Sequence, residues 1–241
     1  MNPTFYIGVH RPALAKLLPN TMLSINVLLN RKSCFEVGNW ILDSGAFTRI
    51  NSGKEHLPID QYASEIERWS KCGNLQAAVS QDYMCEQFIL ERTGLTVADH
   101  QRLTIERYDA LMATHPSVYV LPVLQGFTPE EYRTHVRLYS TRLKPSAWVG
   151  VGSVCKRNKS PIEVLKVLRA IKEVRPDLQL HGFGIKKTAL RVPHVAALLA
   201  TCDSMAWSFG ARINGRDAND ASEALSYAKS VASIPDQLVM L

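Results

Sequence analysis

A chain of 241 residues, 46% hydrophobic and 21% charged, has the composition of one soluble globular domain with a substantial core, and is too short for a large multidomain enzyme. No run reaches the roughly 18 to 20 consecutive apolar residues of a membrane span, and MNPTFYIGVH lacks the charged start and apolar core of a secretory signal; a cytoplasmic protein with no membrane partner is expected. Lys and Arg outnumber Asp and Glu by 28 to 22, a net charge of +6 that suits a polyanionic partner.

Eight β-rich runs alternate with helical patterns: TFYIGVH (4–10), TMLSINVLL (21–29), NWILDSG (39–45), LQAAVSQDY (75–83), VYVLPVLQG (118–126), AWVGVGS (147–153), LQLHGFG (178–184) and DSMAWS (203–208). Only RPALAKLLP separates the first two, and the second reaches the third through a loop. Later helices carry start signals: Thr128-Pro129-Glu130-Glu131 and Ser160-Pro161-Ile162-Glu163 each pair an N-cap hydroxyl and a first-turn proline with a glutamate three residues on. In the second of these helices Val164, Leu165, Leu168 and Ile171 recur at helical spacing while Lys166, Arg169, Lys172 and Glu173 take the other face, as on a helix lying against a sheet. The expected fold is α/β, a compact or trimmed (β/α)8 TIM-type barrel forming a single catalytic domain over 1–241. A doubly wound open sheet is the alternative, since alternation alone does not close a sheet. No linker, low-complexity tract or repeat marks a boundary.

Cys34, Cys72, Cys85, Cys155 and Cys202 are odd in number and form no CxxC pair, so a disulfide framework is not expected. Cys155 and Cys202, near the strand ends, read as small buried residues. His10 and His181 raise a metal-dependent hydrolase, but HxH or HExxH spacing is missing and no metal is expected.

In a barrel of this kind the active site lies at the C-terminal strand ends, which gives polar residues there special weight. Asp43, Asp82, Gln125-Gly126 and Asp203 end strands, together with the glycine-bearing ends Gly150-Val151-Gly152 and Gly182-Phe183-Gly184. Glycines let a flat ligand approach backbone groups, and carboxylates read a ring N–H edge, attack a carbon or transfer a proton. Taken singly, each has an ordinary structural explanation: a turn for Asp43, a loop cap for Asp203, backbone satisfaction for Gln125, core packing for Phe47 and Trp207.

Taken together, in order and spacing, these residues resemble the guanine transglycosylases, the queuine and archaeosine tRNA-ribosyltransferase-like barrel enzymes that exchange guanine in a nucleic acid for a 7-deazaguanine. Ile41-Leu42-Asp43-Ser44-Gly45-Ala46-Phe47 is similar to the family's Asp-Ser-Gly-Gly-aromatic segment, with Ala46 for the second glycine. Asp82 matches the second base-reading aspartate, Gln125-Gly126 the Gln-Gly pair, Gly150 to Ser153 the glycine-rich strand end and Gly182 to Gly184 the Gly-x-Gly. Cys202-Asp203-Ser204-Met205, with Arg212 and Asn214-Gly215, resembles the segment of the nucleophilic aspartate. The resemblance covers roughly residues 40 to 216. It departs from the tRNA enzymes in lacking their Cys-x-Cys-x-x-Cys plus His zinc site, in placing Trp207-Ser208-Phe209 where Pro-Thr-Arg is usual, and in its shortness. It is therefore nearest the DNA 7-deazaguanine (DpdA-like) transglycosylases of phages and bacterial DNA-modification clusters, with tRNA as the alternative substrate.

The resemblance implies Asp203 as nucleophile, Asp43 in proton transfer, and Phe47, Asp82, Gln125, Gly126, Gly150, Gly152, Gly182 and Gly184 around the base. No cofactor is implied. Base exchange with retention is the double-displacement chemistry of retaining glycosidases, for which two carboxylates suffice. Lys156, Arg157, Lys159, Lys186, Lys187, Arg191, Arg212 and Arg216 lie in the loops after the last three strands and are expected to hold a phosphate backbone. The expected partners are DNA, a free 7-deazaguanine such as the 7-cyano form, and an accessory protein that opens the duplex. Competing readings are a phosphate-binding isomerase or lyase barrel and a non-catalytic nucleic-acid-binding subunit.

Overall fold

The structure, a computed structural model, describes residues 3–157 and 160–234. Strands β1 (Thr4–Val9), β2 (Asn20–Ser24), β3 (Asn39–Asp43), β4 (Asn74–Val79), β5 (Val120–Leu121), β6 (Val123–Leu124), β7 (Trp148–Val151), β8 (Gln179–Gly182) and β9 (Thr201–Ser204) form one parallel sheet in the order β5-β4-β3-β2-β1-β9-β8-β7-β6. The two ends of that order are neighbours in the chain, separated only by Pro122. Proline has no N–H to give a ladder, so the run expected as one strand splits there. Its first half pairs with β4 and its second with β7, while the Pro122 carbonyl accepts from the Gly150 N–H at 2.8 Å. The sheet thereby curls into a nearly closed TIM-type barrel.

Side chains alternate along each strand between the barrel interior and the helical layer. Tyr6, Met22, Ile41, Ala77, Val79, Leu121 and Val123 fill the interior, whereas Ile7, Leu23, Trp40, Leu42, Ala78, Val149, Val151, Leu180 and Cys202 belong to the larger core beneath the helices. Gly150 takes an inward position, and a Cβ there would collide with the Phe183 ring that occupies its space. The same alternation aims His181 and Asp203 inward.

Two predicted strands have different limits. The second stops at Ser24, whose hydroxyl accepts the Asn26 N–H at 3.4 Å and caps a short 3₁₀ turn. The last begins at Thr201 and gives way to helix by Ala206, so Trp207 and Ser208 are helical. The helices are α1 (Ala46–Asn51), α2 (Ile59–Trp69), α3 (Gln87–Thr93), α4 (Val97–Met112), α5 (Pro129–Tyr139), α6 (Pro161–Val174), the short α7 (Lys187–Leu190) and α8 (Pro193–Ala196), α9 (Ala206–Ile213) and α10 (Ala221–Ala232). Between β1 and β2 there is only a 3₁₀ segment, Pro12–Leu17. Helix α5 starts on the expected reciprocal capping box of Thr128 and Glu131. Helix α6 starts where expected and buries Val164, Leu165, Leu168 and Ile171, but its cap differs. The Ser160 hydroxyl makes no cap bond, its carbonyl accepts the Glu163 N–H at 2.9 Å, and Glu163 turns to Lys166.

Contrary to the expectation for the cysteines, Cys34 and Cys72 are joined in a disulfide. They are 38 residues apart, yet β3 and β4 pair side by side and bring the segments that precede them together, with the two Cα atoms 5.6 Å apart.

Candidate active site

The C-terminal strand ends open into a cavity of about 420 Å³. Seven of the residues singled out from the sequence line it: Asp43, Phe47, Asp82, Gln125, Gly152, Gly184 and Asp203. They stand at or just past the ends of six strands, Asp43 and Phe47 both following β3, so the convergence follows from the barrel itself.

Asp43 ends β3 and is followed by a tight turn, in which its Oδ2 accepts the Gly45 N–H at 3.1 Å. Gly45 has φ +70°, and Asn26 lies where a Cβ would stand and donates to its carbonyl at 3.0 Å; only glycine suits both conditions. Burial, reinforced by the negative charge of Asp203, pushes the Asp43 carboxyl up to about 6. A group poised there exchanges protons readily near neutrality.

Asp82 is buried and accepts a hydrogen bond from the Gln125 amide. Burial is the main cause of its carboxyl being raised to about 7; the Gln125 bond opposes this, and the charges of Asp43 and Glu86 add to it. Gln125 is held in turn at its Oε1, 2.7 Å from the Ser153 hydroxyl, which also lies 2.8 Å from Glu86 Oε2 and accepts the Cys85 N–H at 2.9 Å. Gly152 is part of the same device, because a Cβ there would strike the Gln125 amide. Ser153 has φ +55°, a conformation costly for a side-chain-bearing residue and held here by the Cys85 N–H bond together with the one acceptor, Gln125 or Glu86, that takes its single proton.

Asp203 is placed from behind. Its Oδ1 accepts the Gly184 N–H at 3.0 Å and lies 3.3 Å from His181 Nε2. The register of β8 against β9 pairs His181 with Thr201, and their Nδ1 and Oγ1 are 2.8 Å apart. Trp148 Nε1 donates to the same Thr201 oxygen at 2.7 Å. A carboxylate oxygen only accepts, so the tautomer that bonds Asp203 carries its proton on Nε2, and Nδ1 then accepts from the Thr201 hydroxyl while the indole N–H takes a lone pair of the same oxygen. A partly buried chain Trp148–Thr201–His181–Asp203 thus fixes the position of the carboxyl group.

The remaining glycines do other work. Gly150 makes room for Phe183, Gly182 packs against Ile185 and Leu199, and Gly126 packs against Glu131 and Tyr132; none of the three lines the cavity. Trp207 is buried, donates to the Gly8 carbonyl at 2.8 Å and stacks on His10 at a centroid distance of 5.7 Å. Among the described residues, no three His, Cys, Asp or Glu side chains cluster so as to hold a metal ion. Cys155 lines the cavity, and burial pushes its thiol up to about 11.

The basic residues separate into two groups. Lys156 and Arg157 stand on the mouth, Lys156 with its ammonium 5.9 Å from the Phe47 ring centre and Arg157 with its guanidinium 4.8 Å from that of Phe127. Lys186, Lys187 and Arg216 line a second hollow among α7, α9 and α10. There Lys187 donates to Ser230 Oγ at 2.9 Å, and Arg216 pairs with Glu223, an acid on α10 that follows the acid-free stretch of sequence. Arg191 and Arg212 are exposed, and Lys159 lies outside the described residues.

Three cavity-side residues escaped the sequence reading as parts of this site: Glu86, Ser153 in its anchoring role, and His181 as a support for Asp203. The signal for Glu86 is its place four residues after Asp82 in the loop that follows β4. For His181 it is the inward parity it shares with Asp203 across neighbouring strands.

Against known families, residues 1–230 match DpdA, DeoxyPurine in DNA protein A. The chain belongs to the DpdA family. Comparison with curated proteins finds no match. DpdA membership gives the chain a role in DNA modification, with DNA as the substrate. No helix among the described residues is long and apolar enough to cross a membrane.

Proposed function

We propose that this DpdA-family chain is a transglycosylase that exchanges guanine in DNA for a free 7-deazaguanine, such as the 7-cyano form, by double displacement. The observation that carries this reading is the convergence of Asp203, Asp43, Asp82 and Gln125 on one cavity at the barrel mouth. The Asp203 carboxylate forms a bond to C1′ of the everted nucleotide as the bond from C1′ to the base breaks. The bond's electron pair leaves with guanine, and protonated Asp43 gives the base its proton. The incoming 7-deazaguanine then loses a proton to Asp43 as its nitrogen attacks C1′, and Asp203 departs as the carboxylate. Two inversions give net retention.

The support from the residues is specific. Asp203 has the Gly184 N–H and the His181 imidazole on one oxygen, which keeps it aimed into the cavity. Asp43, raised to about 6, holds a useful fraction of both protonation forms near neutral pH. Asp82 and Gln125, with Glu86 beside them, offer acceptors to an edge that carries a ring N–H next to an amino group, the pattern shared by guanine and its 7-deaza analogues. Phe47 stacks on the ring. A target inside a duplex has to be everted, so a partner that opens DNA belongs to this reading.

The test is nucleoside mass spectrometry after incubating the protein and its Asp203→Ala variant with 7-cyano-7-deazaguanine and, separately, duplex DNA, single-stranded DNA and tRNA. The modified deoxynucleoside appears in DNA with the parent protein alone. Exchange in tRNA only, or full activity in Asp203→Ala, overturns the reading. Salt-sensitive DNA binding with no exchange under any condition favours the non-catalytic subunit.

A further inference from the structure

The chain has seven phenylalanines, and four of them are exposed: Phe47 (39%), Phe88 (38%), Phe127 (50%) and Phe209 (55%). All four stand past the C-terminal ends of strands, Phe47 on α1 after β3, Phe88 on α3 after β4, Phe127 between β6 and α5, and Phe209 on α9 after β9. Burial in the core does not account for them, nor does chance scatter over the surface, which would send some to the opposite end of the barrel.

Each ring is also accompanied by a cation. Lys156 has its ammonium 5.9 Å from the centre of Phe47 and 5.6 Å from that of Phe88, and those two rings meet edge to face at 6.2 Å. The Arg157 guanidinium lies over Phe127 at 4.8 Å and donates to its carbonyl, while the Lys186 ammonium lies 5.6 Å from Phe209. At this end of the barrel, therefore, flat apolar faces lie beside positive charges, Phe47, Phe88 and Phe127 with Lys156 and Arg157 by the cavity and Phe209 with Lys186 at the neighbouring hollow.

We propose that this rim holds an unpaired stretch of DNA, with bases stacked on Phe88, Phe127 and Phe209 and phosphates on Lys156, Arg157 and Lys186, so that the substrate is presented as single strand. The proposal rests on the reading of the cavity as a site of base exchange in DNA. A duplex keeps its base faces stacked on one another and shows a protein only phosphates and groove edges; it would meet the cations and leave the rings with nothing to stack on. An unpaired strand offers both a face and a phosphate at every nucleotide, the combination used by single-strand-binding grooves. It also removes most of the unstacking cost of bringing the target nucleotide into the cavity.

The experiment is fluorescence anisotropy with a labelled oligonucleotide of about 15 nucleotides, its blunt duplex, and RNA of the same sequence, at about 0.15 M salt. Single-stranded DNA binds about tenfold more tightly than the duplex, and Phe88→Ala, Phe127→Ala and Phe209→Ala each weaken it about fivefold or more. Duplex binding changes less than about twofold in these variants, and Phe127→Trp, which keeps a ring, binds as the parent does. Duplex bound as tightly as single strand, RNA preferred over DNA, or alanine variants indistinguishable from the parent overturns the proposal. Base exchange is followed on the same oligonucleotides. Exchange on duplex as fast as on single strand refutes the rim proposal and leaves the base-exchange reading intact. Ring-dependent binding of single strand without exchange on any DNA does the reverse.

Discussion

Replacing Asp82 by asparagine stabilises the protein in a pH-dependent way whose sign and size follow from its surroundings. The carboxyl is raised from 3.8 to about 7 by burial, so the native state holds its proton more tightly than the unfolded chain does. The stability this contributes is present in full below about pH 4 and is lost as pH rises through 7. The cost of ionising the buried group is about 4 kcal/mol once pH exceeds the native value, at roughly 1.4 kcal/mol per pH unit. Asp82→Asn removes that cost and keeps an oxygen for the Gln125 amide. The variant and parent therefore melt within a degree or two of each other near pH 4. By pH 8 the variant melts higher by about 10 °C, a shift scaled to a chain of this length. Thermal denaturation followed by circular dichroism between pH 4 and 8 measures the difference. A gap that stays constant across that range, or that narrows as pH rises, refutes the assignment of Asp82 as a buried, reluctantly ionised carboxylate.

Other consequences can be checked by the rate of base exchange. In the proposed reaction Asp43 supplies a proton in the first step, and it faces Asp203, Asp82 and Ser24, so kcat/KM falls above about pH 6 in the parent; Asp43→Asn loses about 10² to 10⁴ in rate together with that limb, and a flat parental profile contradicts the role. His181→Leu deprives Asp203 of one donor and lowers kcat about tenfold or more with little change in KM, Thr201→Val acts in the same direction, and His181→Gln, which keeps an N–H, recovers part of the loss. A His181→Leu variant with kcat within twofold of the parent would show that the Trp148–Thr201–His181 chain does not serve the carboxyl group. Gly152→Ala drives the Gln125 amide off Asp82 and raises KM for the incoming base while single-stranded DNA binding persists; unchanged KM speaks against Gln125 as a base reader.

Much of the barrel is legible in the sequence because its signals are local. Strand runs, the Thr128-Pro129-Glu130-Glu131 cap and the apolar stripe of α6 each depend on a few neighbouring residues. Asp43, Asp82, Gln125 and Asp203 stand out for the same reason, since each follows an apolar strand and the architecture makes strand ends converge. Features set by tertiary contact are not legible in this way. Glu86 looks like any loop glutamate until Ser153, 67 residues away, reaches it. His181 acquires its role only through the register that places Thr201 beside it. Arg216 follows a stretch without acids, yet α10 folds back and delivers Glu223 to it, and Lys187 is taken up by Ser230 on the same helix. Cys34 and Cys72 become partners only because β3 and β4 lie side by side. Pro122 is the intermediate case: its effect on a strand is local, but its place at the seam between β5 and β6 depends on the closure of the whole sheet.

In the proposed reaction Asp203 takes the sugar from guanine, and covalent trapping reads out that bond itself. The protein is incubated with guanine-containing single-stranded DNA and no 7-deazaguanine, denatured, and the protein–DNA adduct is mapped by peptide mass spectrometry. The expected result is an adduct on Asp203 that disappears when 7-cyano-7-deazaguanine is added, with the modified deoxynucleoside formed in its place, and no adduct in Asp203→Asn. An adduct on another residue, or exchange by Asp203→Asn at the parental rate, contradicts it.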